Sequence, residues 1–393
     1  MFAIQQENSI NFESFFKKLR EPSWSTAVRK EAAKNFAKLP LPTRKDEEWK
    51  YTDVKGFTFF EPSSFAVSIV SPKGVVAVSM PDALEKYDGL IRPILQKAGA
   101  KDKFSAFCSA AWTNGYFVYA DGNTENPVIV KHTAGEPACS RSVIVAERNA
   151  RVTICEIFDG DAPSHYGTLD VVAKENAEVN VITVQRFGDG TWDHTIKNGR
   201  CERDARINWT FALLGGRTSK LKEETVFEGS GASSELKGVY FGTGKQHLSV
   251  VTNTNHEAPN TRANIETRGV LKDDASSMSR GLIRIEKVAH GTDSQLHDRT
   301  LHLSSGAMSN SIPSLEIENN DVRASHGSST GKIDEEQMFY LMSRGLSREE
   351  AETLIVEGFF ETVVNAISVS DVREGVRELV SSKITSKEHL KLV

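Results

Sequence analysis

The sequence predicts a mainly β protein: a coil of stacked strands held between two helical ends. Three observations point there. A small-residue pair recurs through the middle of the chain, at Asn149-Ala150, Asn176-Ala177, Asp204-Ala205, Gly231-Ala232, Asp274-Ala275 and Gly306-Ala307, with alanine-to-alanine intervals of 27, 28, 27, 43 and 32 residues. A repeat of this size marks a unit that cannot bury its own apolar face and must stack on a neighbour. Runs rich in Val, Ile, Thr and Phe flank the pairs, at 142–145, 152–158, 169–173, 179–187 and 206–213, and they alternate as half-buried strands do. A Gly, Asn or Asp beside a small residue is what a tight turn between strands needs. Outside the middle, the apolar period changes from strand-like to helical. The middle therefore reads as a strand–turn–strand coil repeated about six times. An antiparallel sandwich with evenly spaced hairpins is the competing architecture.

The chain begins with residues 1–10, which have no basic segment and no apolar core, so they do not read as a secretory leader. Two helices are expected over 11–39. Phe12, Phe15, Phe16 and Leu19 recur at helical spacing, as do Trp24, Val28, Ala32, Phe36 and Leu39, and Pro40 and Pro42 stop the second helix. The densely charged run from Thr43 to Thr52 holds Trp49 and Tyr51, read as anchors of a solvated turn or as a docking motif. Residues 55–112 mix short strand-like runs with a helix near 84–98. The expected division is 1–112 helical and mixed, 113–323 the β-coil core, and 324–393 helical. The polar stretch Asn253–Asn260 inside the 43-residue interval reads as an insertion or an irregular extra coil.

The period turns helical again after Ser325. Asp334 is placed to N-cap a helix over 335–343, with Gly345 as its stop. Ser347 and Glu350 have the spacing of a capping box. Behind it Ala351, Leu354, Ile355, Gly358, Phe359, Val363 and Ala366 form one apolar stripe, which either packs on the coils or receives a partner. A third helix is expected over about 371–381.

Composition excludes several functions. The chain has 393 residues, of which 39% are hydrophobic and 26% charged, as in ordinary globular proteins. No apolar run reaches the ~20 residues of a membrane-spanning helix. A net charge of -5 makes no electrostatic case for nucleic acid. Cys108, Cys139, Cys155 and Cys201 are too widely spaced for a CxxC site, and a reducing cytoplasm is expected.

Little in the chain reads as catalysis. Gly327–Lys332 and Gly242–Gln246 resemble phosphate-binding loops but lack the glycine spacing and the Ser/Thr after the lysine. His290, His297 and His302 match no local metal motif, although stacking coils can bring distant histidines together. His326, between Ser325 and Gly327, stands at the expected junction of strands and helices with little bulk beside it. An accessible imidazole there is a competent iron or zinc ligand, or else a hydrogen-bonded junction residue. A β-helix enzyme acting on polysaccharide needs convergent carboxylates or a basic catalytic residue along one face; no such set is evident, although Asp161, Asp189 and Asp193, read as loop residues, are testable.

Several segments resemble one family. Arg44–Thr52, Pro313–Ile317, Asp321–Gly327, Gly331–Gln337, Phe339–Leu341, Ser343–Gly345 and Glu357–Phe359 are similar to the SufD branch of the SufB/SufD family of the SUF iron–sulfur assembly machinery. The resemblance implies a right-handed parallel β-helix between helical ends, and a non-catalytic scaffold in place of an enzyme. It implies pairing with SufB through the β-helix core and recruitment of the ATPase SufC by the C-terminal helices, through Asp334, Glu335, Glu336, Phe339, Tyr340, Arg344, Glu350 and Phe359. It makes His326 the ligand of a transient iron–sulfur cluster shared with SufB, with no cofactor held tightly by the isolated chain. A homodimer in isolation is a further expectation. The SufB-like alternative, a homodimeric scaffold, is disfavoured by Ser305 where SufB carries its assembly cysteine, and by Ser325-His326-Gly327-Ser328 where SufB reads Glu-His-Glu-Ala.

Overall fold

The computed structural model describes residues 10–97 and 101–385; residues 1–9, read above as lacking a leader, and Ala98, the expected end of a helix, lie outside the described residues. Helices α1 (Phe12–Lys18) and α2 (Ser23–Lys38) form where the spacing predicts them. Asn11 caps the first, its side chain accepting from the Ser14 amide at 3.0 Å. Strands β1 (Ala66–Val70) and β2 (Val75–Ser79) lead into α3 (Met80–Lys86), α4 (Asp88–Lys97) and α5 (Lys103–Ala111). The single helix expected near 84–98 is thus two, and α5 is one the spacing did not reveal.

The coil follows. Its first strands are β3 (Tyr116–Ala120), β4 (Val128–Thr133), β5 (Ala138–Ala146), β6 (Arg151–Gly160), β7 (Ser164–Ala173) and β8 (Glu178–Phe187). Next come β9 (Trp192–Cys201), β10 (Arg206–Leu213), β11 (Thr218–Phe227), β12 (Ser233–Gly242) and β13 (His247–His256). The last are β14 (Arg262–Leu271), β15 (Ser276–Ile285), β16 (Thr292–His302), β17 (Met308–Ile317) and β18 (Val322–Lys332). Three helices close the chain: α6 (Glu335–Ser343), α7 (Arg348–Val364) and α8 (Ser370–Thr385).

The strands form two nine-stranded sheets, ordered β1-β4-β6-β8-β10-β12-β14-β16-β18 and β17-β15-β13-β11-β9-β7-β5-β3-β2. Only β1·β4 and β2·β3 are antiparallel; each later neighbour is joined in parallel. Each coil therefore lays one strand in each sheet, which makes a parallel β-solenoid of eight coils and excludes the antiparallel sandwich. The small-pair count of six falls short of eight because the coil of β3 and β4 has no pair and the coil of β13 and β14 has Asn260-Thr261 in its place.

The corners explain why the pairs recur. Ala150, Ala177, Ala205 and Ala232 occupy one corner in register, each immediately before its paired strand. The residue before each alanine has positive φ: Asn149 at 65°, Asn176 at 58°, Asp204 at 55° and Gly231 at 76°. That left-handed backbone is cheap only for Gly, and for Asn or Asp among the others. Asn260 (59°) and Gly291 (69°) continue the series, but Thr261 and Thr292 replace the alanine, their hydroxyls 3.0 Å apart. Ala275 and Ala307 belong to the opposite corner, before β15 and β17. The 43-residue interval thus spans one coil and a half. No insertion exists there: Asn253–His256 completes β13, and Glu257–Asn260 is an ordinary corner.

Apolar side chains fill the lumen between the sheets, from Val118 and Ile144 to Ile283 and Leu296. Each sheet also carries apolar residues outward, and a helical layer covers them. Helices α2–α5 cover Phe117, Val143 and Tyr166 of one sheet. Helices α7 and α8 cover Ile182, Val184, Phe241 and Val270 of the other. The charged run near Trp49 straps the first sheet. Trp49 is buried and stacks on Phe104 at 4.7 Å, with the Lys220 ammonium 4.6 Å from its ring. Glu48 pairs with Lys222 at 2.8 Å and Glu47 with Arg280 at 2.9 Å. Tyr51, by contrast, is exposed, with the Lys50 ammonium 5.5 Å from its ring.

Candidate functional site at the open end of the coil

The two ends of the solenoid differ. At the first end, β1 and β2 pair antiparallel with β4 and β3 and interrupt the repeat. At the last, β17 and β18 each have a partner on one side only. Met308 (63%) and Ile317 (43%) on β17 lie exposed there. Unpaired strand edges are templates for pairing with another chain.

His326 sits inside β18, and not at a strand–helix junction, because the strand runs on to Lys332. Its register partner is Leu296, a lumen residue, so the imidazole side of β18 continues the inner face at the open end. His326 is exposed, and its imidazole takes part in no hydrogen bond among the described residues. Gly327 points the other way: a Cβ there would meet the His297 Nδ1 at 3.3 Å, which places His297 on the outer face. His302 bonds Ser309 through Nε2 at 2.9 Å. His290 lies in the corner before β16. The three histidines do not converge, and no group of three or more metal-ligating side chains forms among the described residues. Gly327–Lys332, one of the two near-matches to a phosphate loop, is extended strand.

None of the four cysteines is near this end, and all are buried. Cys155 lies under α7 and α8, and burial pushes its thiol up to about 12. Burial likewise raises Cys139 and Cys201. The lytic carboxylates do not converge either. Asp193 is a buried strand residue bonded to His165 Nδ1 at 2.8 Å, whereas Asp161 and Asp189 occupy exposed corners.

Sequence reading missed the polar content of the lumen. Glu156, Thr183, Phe211, Gly238, Thr267, Asp298 and Ser328 stack in one register row along the even-numbered sheet. Glu156 accepts from Tyr116 at 2.9 Å, Thr183 at 3.0 Å and Lys197 at 2.5 Å, all buried. Glu223 faces the same pair with Oε2 unbonded, and burial raises its carboxyl to about 7. His132 is sealed between rings, stacked on Phe158 at 4.4 Å; burial lowers it to about 3. The signal was present as polar residues recurring at the coil interval, but it emerges only once the register is known.

The terminal helices form an arm that leaves β18 at the open end and packs through α7 and α8 over the even-numbered sheet. Asp334 caps α6, accepting from the Glu336 amide at 2.8 Å. Of that helix only Met338 is buried; Phe339 is 74% and Tyr340 57% exposed, with Arg344 5.1 Å over the Tyr340 ring. Ser347 and Glu350 close the capping box that starts α7, and the Ser347 bonds hold the Glu350 carboxyl below its usual range. The stripe expected on α7 is split. Ala351, Val356, Phe360, Val363 and Val364 are buried, while Leu354 is 50% exposed. Apolar residues occupy two faces of this helix, and spacing alone does not say which one meets the sheet. Phe359 is half-buried, Arg268 lying over its ring and donating to its carbonyl. Glu335 and Glu336 lie exposed on the same arm.

Comparison with known proteins places this architecture. The chain is similar to iron–sulfur cluster assembly protein SufD of Bacillus subtilis, 27% identical with 95% of this chain and 97% of that protein aligned. It is similar to an iron–sulfur cluster assembly SufBD family protein of Mycobacterium tuberculosis, 28% identical over 88% of this chain and 90% of the relative. A SufBD family protein of Staphylococcus saprophyticus is 27% identical over 87% of the chain and 75% of its own length. The family model for the SufBD core domain of SUF-system FeS cluster assembly matches residues 129–359, from β4 to α7. The solenoid, with the open end and the start of the arm inside that span, makes this chain a member of the SufBD family of iron–sulfur cluster assembly proteins.

Proposed function

We propose that the chain is a non-catalytic scaffold subunit of the SUF machinery, working in the cytoplasm. Its open β-helix end pairs with SufB, and a nascent iron–sulfur cluster, which is cargo and not a resident cofactor, meets His326 at that junction. One observation carries this reading: an exposed imidazole without a protein partner stands on an unpaired strand edge, while every cysteine of the chain is buried elsewhere. Clusters are held chiefly by thiolates, with histidine a minority ligand. The thiolates must therefore come from a partner seated on the same edge. Ser305, exposed in the corner before β17, offers only a hydroxyl.

The arm of α6 and α7 is the docking surface for SufC. Phe339, Tyr340 and Leu354 supply exposed apolar area, and Asp334, Glu335, Glu336 and Glu350 supply exposed acidic groups, with Arg344 over the Tyr340 ring. Phe359 positions the arm on the sheet through its carbonyl bond to Arg268. The exposed edges of β17 and β18 also support a homodimer when SufB is absent. Anaerobic co-purification from the native host, with mass-spectrometric identification of partners, tests the assignment. SufB and SufC are expected together; a chain recovered alone, or with SufB but without SufC, removes the docking role of the arm.

A further inference from the structure

Two carboxylates lie in the polar row of the lumen, and their surroundings differ. Glu156 has an ammonium at 2.5 Å. Asp298 has no cationic side chain beside it among the described residues, although it is only 2% exposed. The Thr267 hydroxyl donates to its Oδ1 at 2.7 Å, and its Oδ2 has no hydrogen-bond partner. Three hydroxyls gather round the group: Thr267 from the neighbouring strand β14, and Ser279 and Ser311 from β15 and β17 across the lumen. Ser279 and Ser311 face it without reaching bonding geometry to Oδ2. A buried carboxylate normally has a cationic partner, coordinates a metal or takes up a proton.

Position separates these choices. Asp298 is one strand in from the open end, paired with the exposed Ser328 of β18. His326 lies two residues before Ser328 on the same inner face, with its Cα about 8 Å from that of Asp298 by strand spacing and rise. We infer that Asp298, with the Thr267, Ser279 and Ser311 hydroxyls, forms a luminal site for a hard divalent cation whose remaining positions are filled by water. A donor set made only of oxygen selects such ions over soft ones. The site uses residues distinct from His326, so it stands or falls separately from the cluster-ligand reading.

The test uses the purified full chain and Mn²⁺ as probe, titrated with detection of free ion by electron paramagnetic resonance. Wild type is expected to take up one equivalent, His326→Ala the same, and the isosteric Asp298→Asn to bind at least tenfold more weakly. Thr267→Val, which removes one donor and no charge, is expected to weaken binding by a smaller factor; it keeps the question open to test if Asp298→Asn fails to fold. Lack of a stoichiometric equivalent in wild type indicates a protonated, neutral Asp298 and overturns the site. Equal binding by wild type and Asp298→Asn overturns it too. So does loss of the ion in His326→Ala but not in Asp298→Asn.

Discussion

Replacing Lys197 with methionine probes the buried pair on which the middle of the solenoid is built. Lys197 is fully buried and its ammonium lies 2.5 Å from Glu156 Oε2, with the Thr183 hydroxyl beside both. Methionine keeps most of the volume and removes the charge. Glu156 is then left with the hydroxyls of Tyr116 and Thr183 as donors and no cation. Breaking one side of a buried pair costs about 3–5 kcal/mol, because the remaining charge has no compensation. Adding Glu156→Gln removes that charge, and the double variant should recover to within about 1–2 kcal/mol of wild type. The pH dependence gives an independent check. Burial pushes the Glu156 carboxyl up, but Lys197, His132 and Tyr116 outweigh it and the net value is lowered. In wild type, therefore, this group contributes stability above the unfolded carboxylate pKa of about 4.3, lost as pH falls through the folded value. Without Lys197 burial dominates and the folded value rises above the unfolded one. The sign reverses, and the deficit of Lys197→Met should shrink between about pH 8 and about pH 5. Glu223, already at about 7 through burial with Lys197 pulling it down, adds in the same direction. Urea unfolding followed by tryptophan fluorescence measures both variants against wild type. A Lys197→Met chain within about 1 kcal/mol of wild type at neutral pH, or a deficit that grows on acidification, refutes the reasoning.

Four further substitutions, at three positions, separate structure from docking. Asn176→Ala should cost about 1–2 kcal/mol, from its left-handed φ and the lost 2.7 Å bond to Asn149, while Asn176→Gly should retain most of that stability in the same urea assay. Phe339→Ala should leave the unfolding midpoint within about 0.5 kcal/mol and weaken SufC capture, whereas Phe360→Ala, buried against Phe241, should cost about 3–5 kcal/mol.

The architecture was legible because the corners demand particular residues. A left-handed position followed by a buried alanine leaves Asn, Asp or Gly before Ala in plain view, coil after coil. The same rule misled where Thr261 and Thr292 took the alanine's place, since a threonine pair sealed by its own hydrogen bond carries no small-residue signal. Helix α6 was placed to the residue by Asp334, a cap with a specific side-chain bond. Helix α7 was located, but its expected stripe divides between the buried Ala351 and Val363 and the exposed Leu354, because Leu354 and Phe360 are equally apolar and only the sheet distinguishes them. His326 was identified as an accessible imidazole, but its setting inside β18 was not, since Ser325–Thr330 has too few bulky residues to show strand alternation. The lumen row was hidden for a different reason. Glu156 and Asp298 are far apart in sequence, and only stacked register brings them into line.

The most direct measurement is maturation of an iron–sulfur enzyme in a host that depends on this machinery, with His326→Ala in place of the native chain. The His326 side chain is exposed and makes no hydrogen bond among the described residues, so its truncation should change stability by less than about 0.5 kcal/mol. The variant should accumulate to wild-type level and still bind SufB and SufC, yet yield little holo-enzyme. Ser305→Ala, tested beside it, should mature the enzyme normally. Full maturation by His326→Ala at equal protein level contradicts the account and leaves His326 an ordinary surface residue of an edge strand.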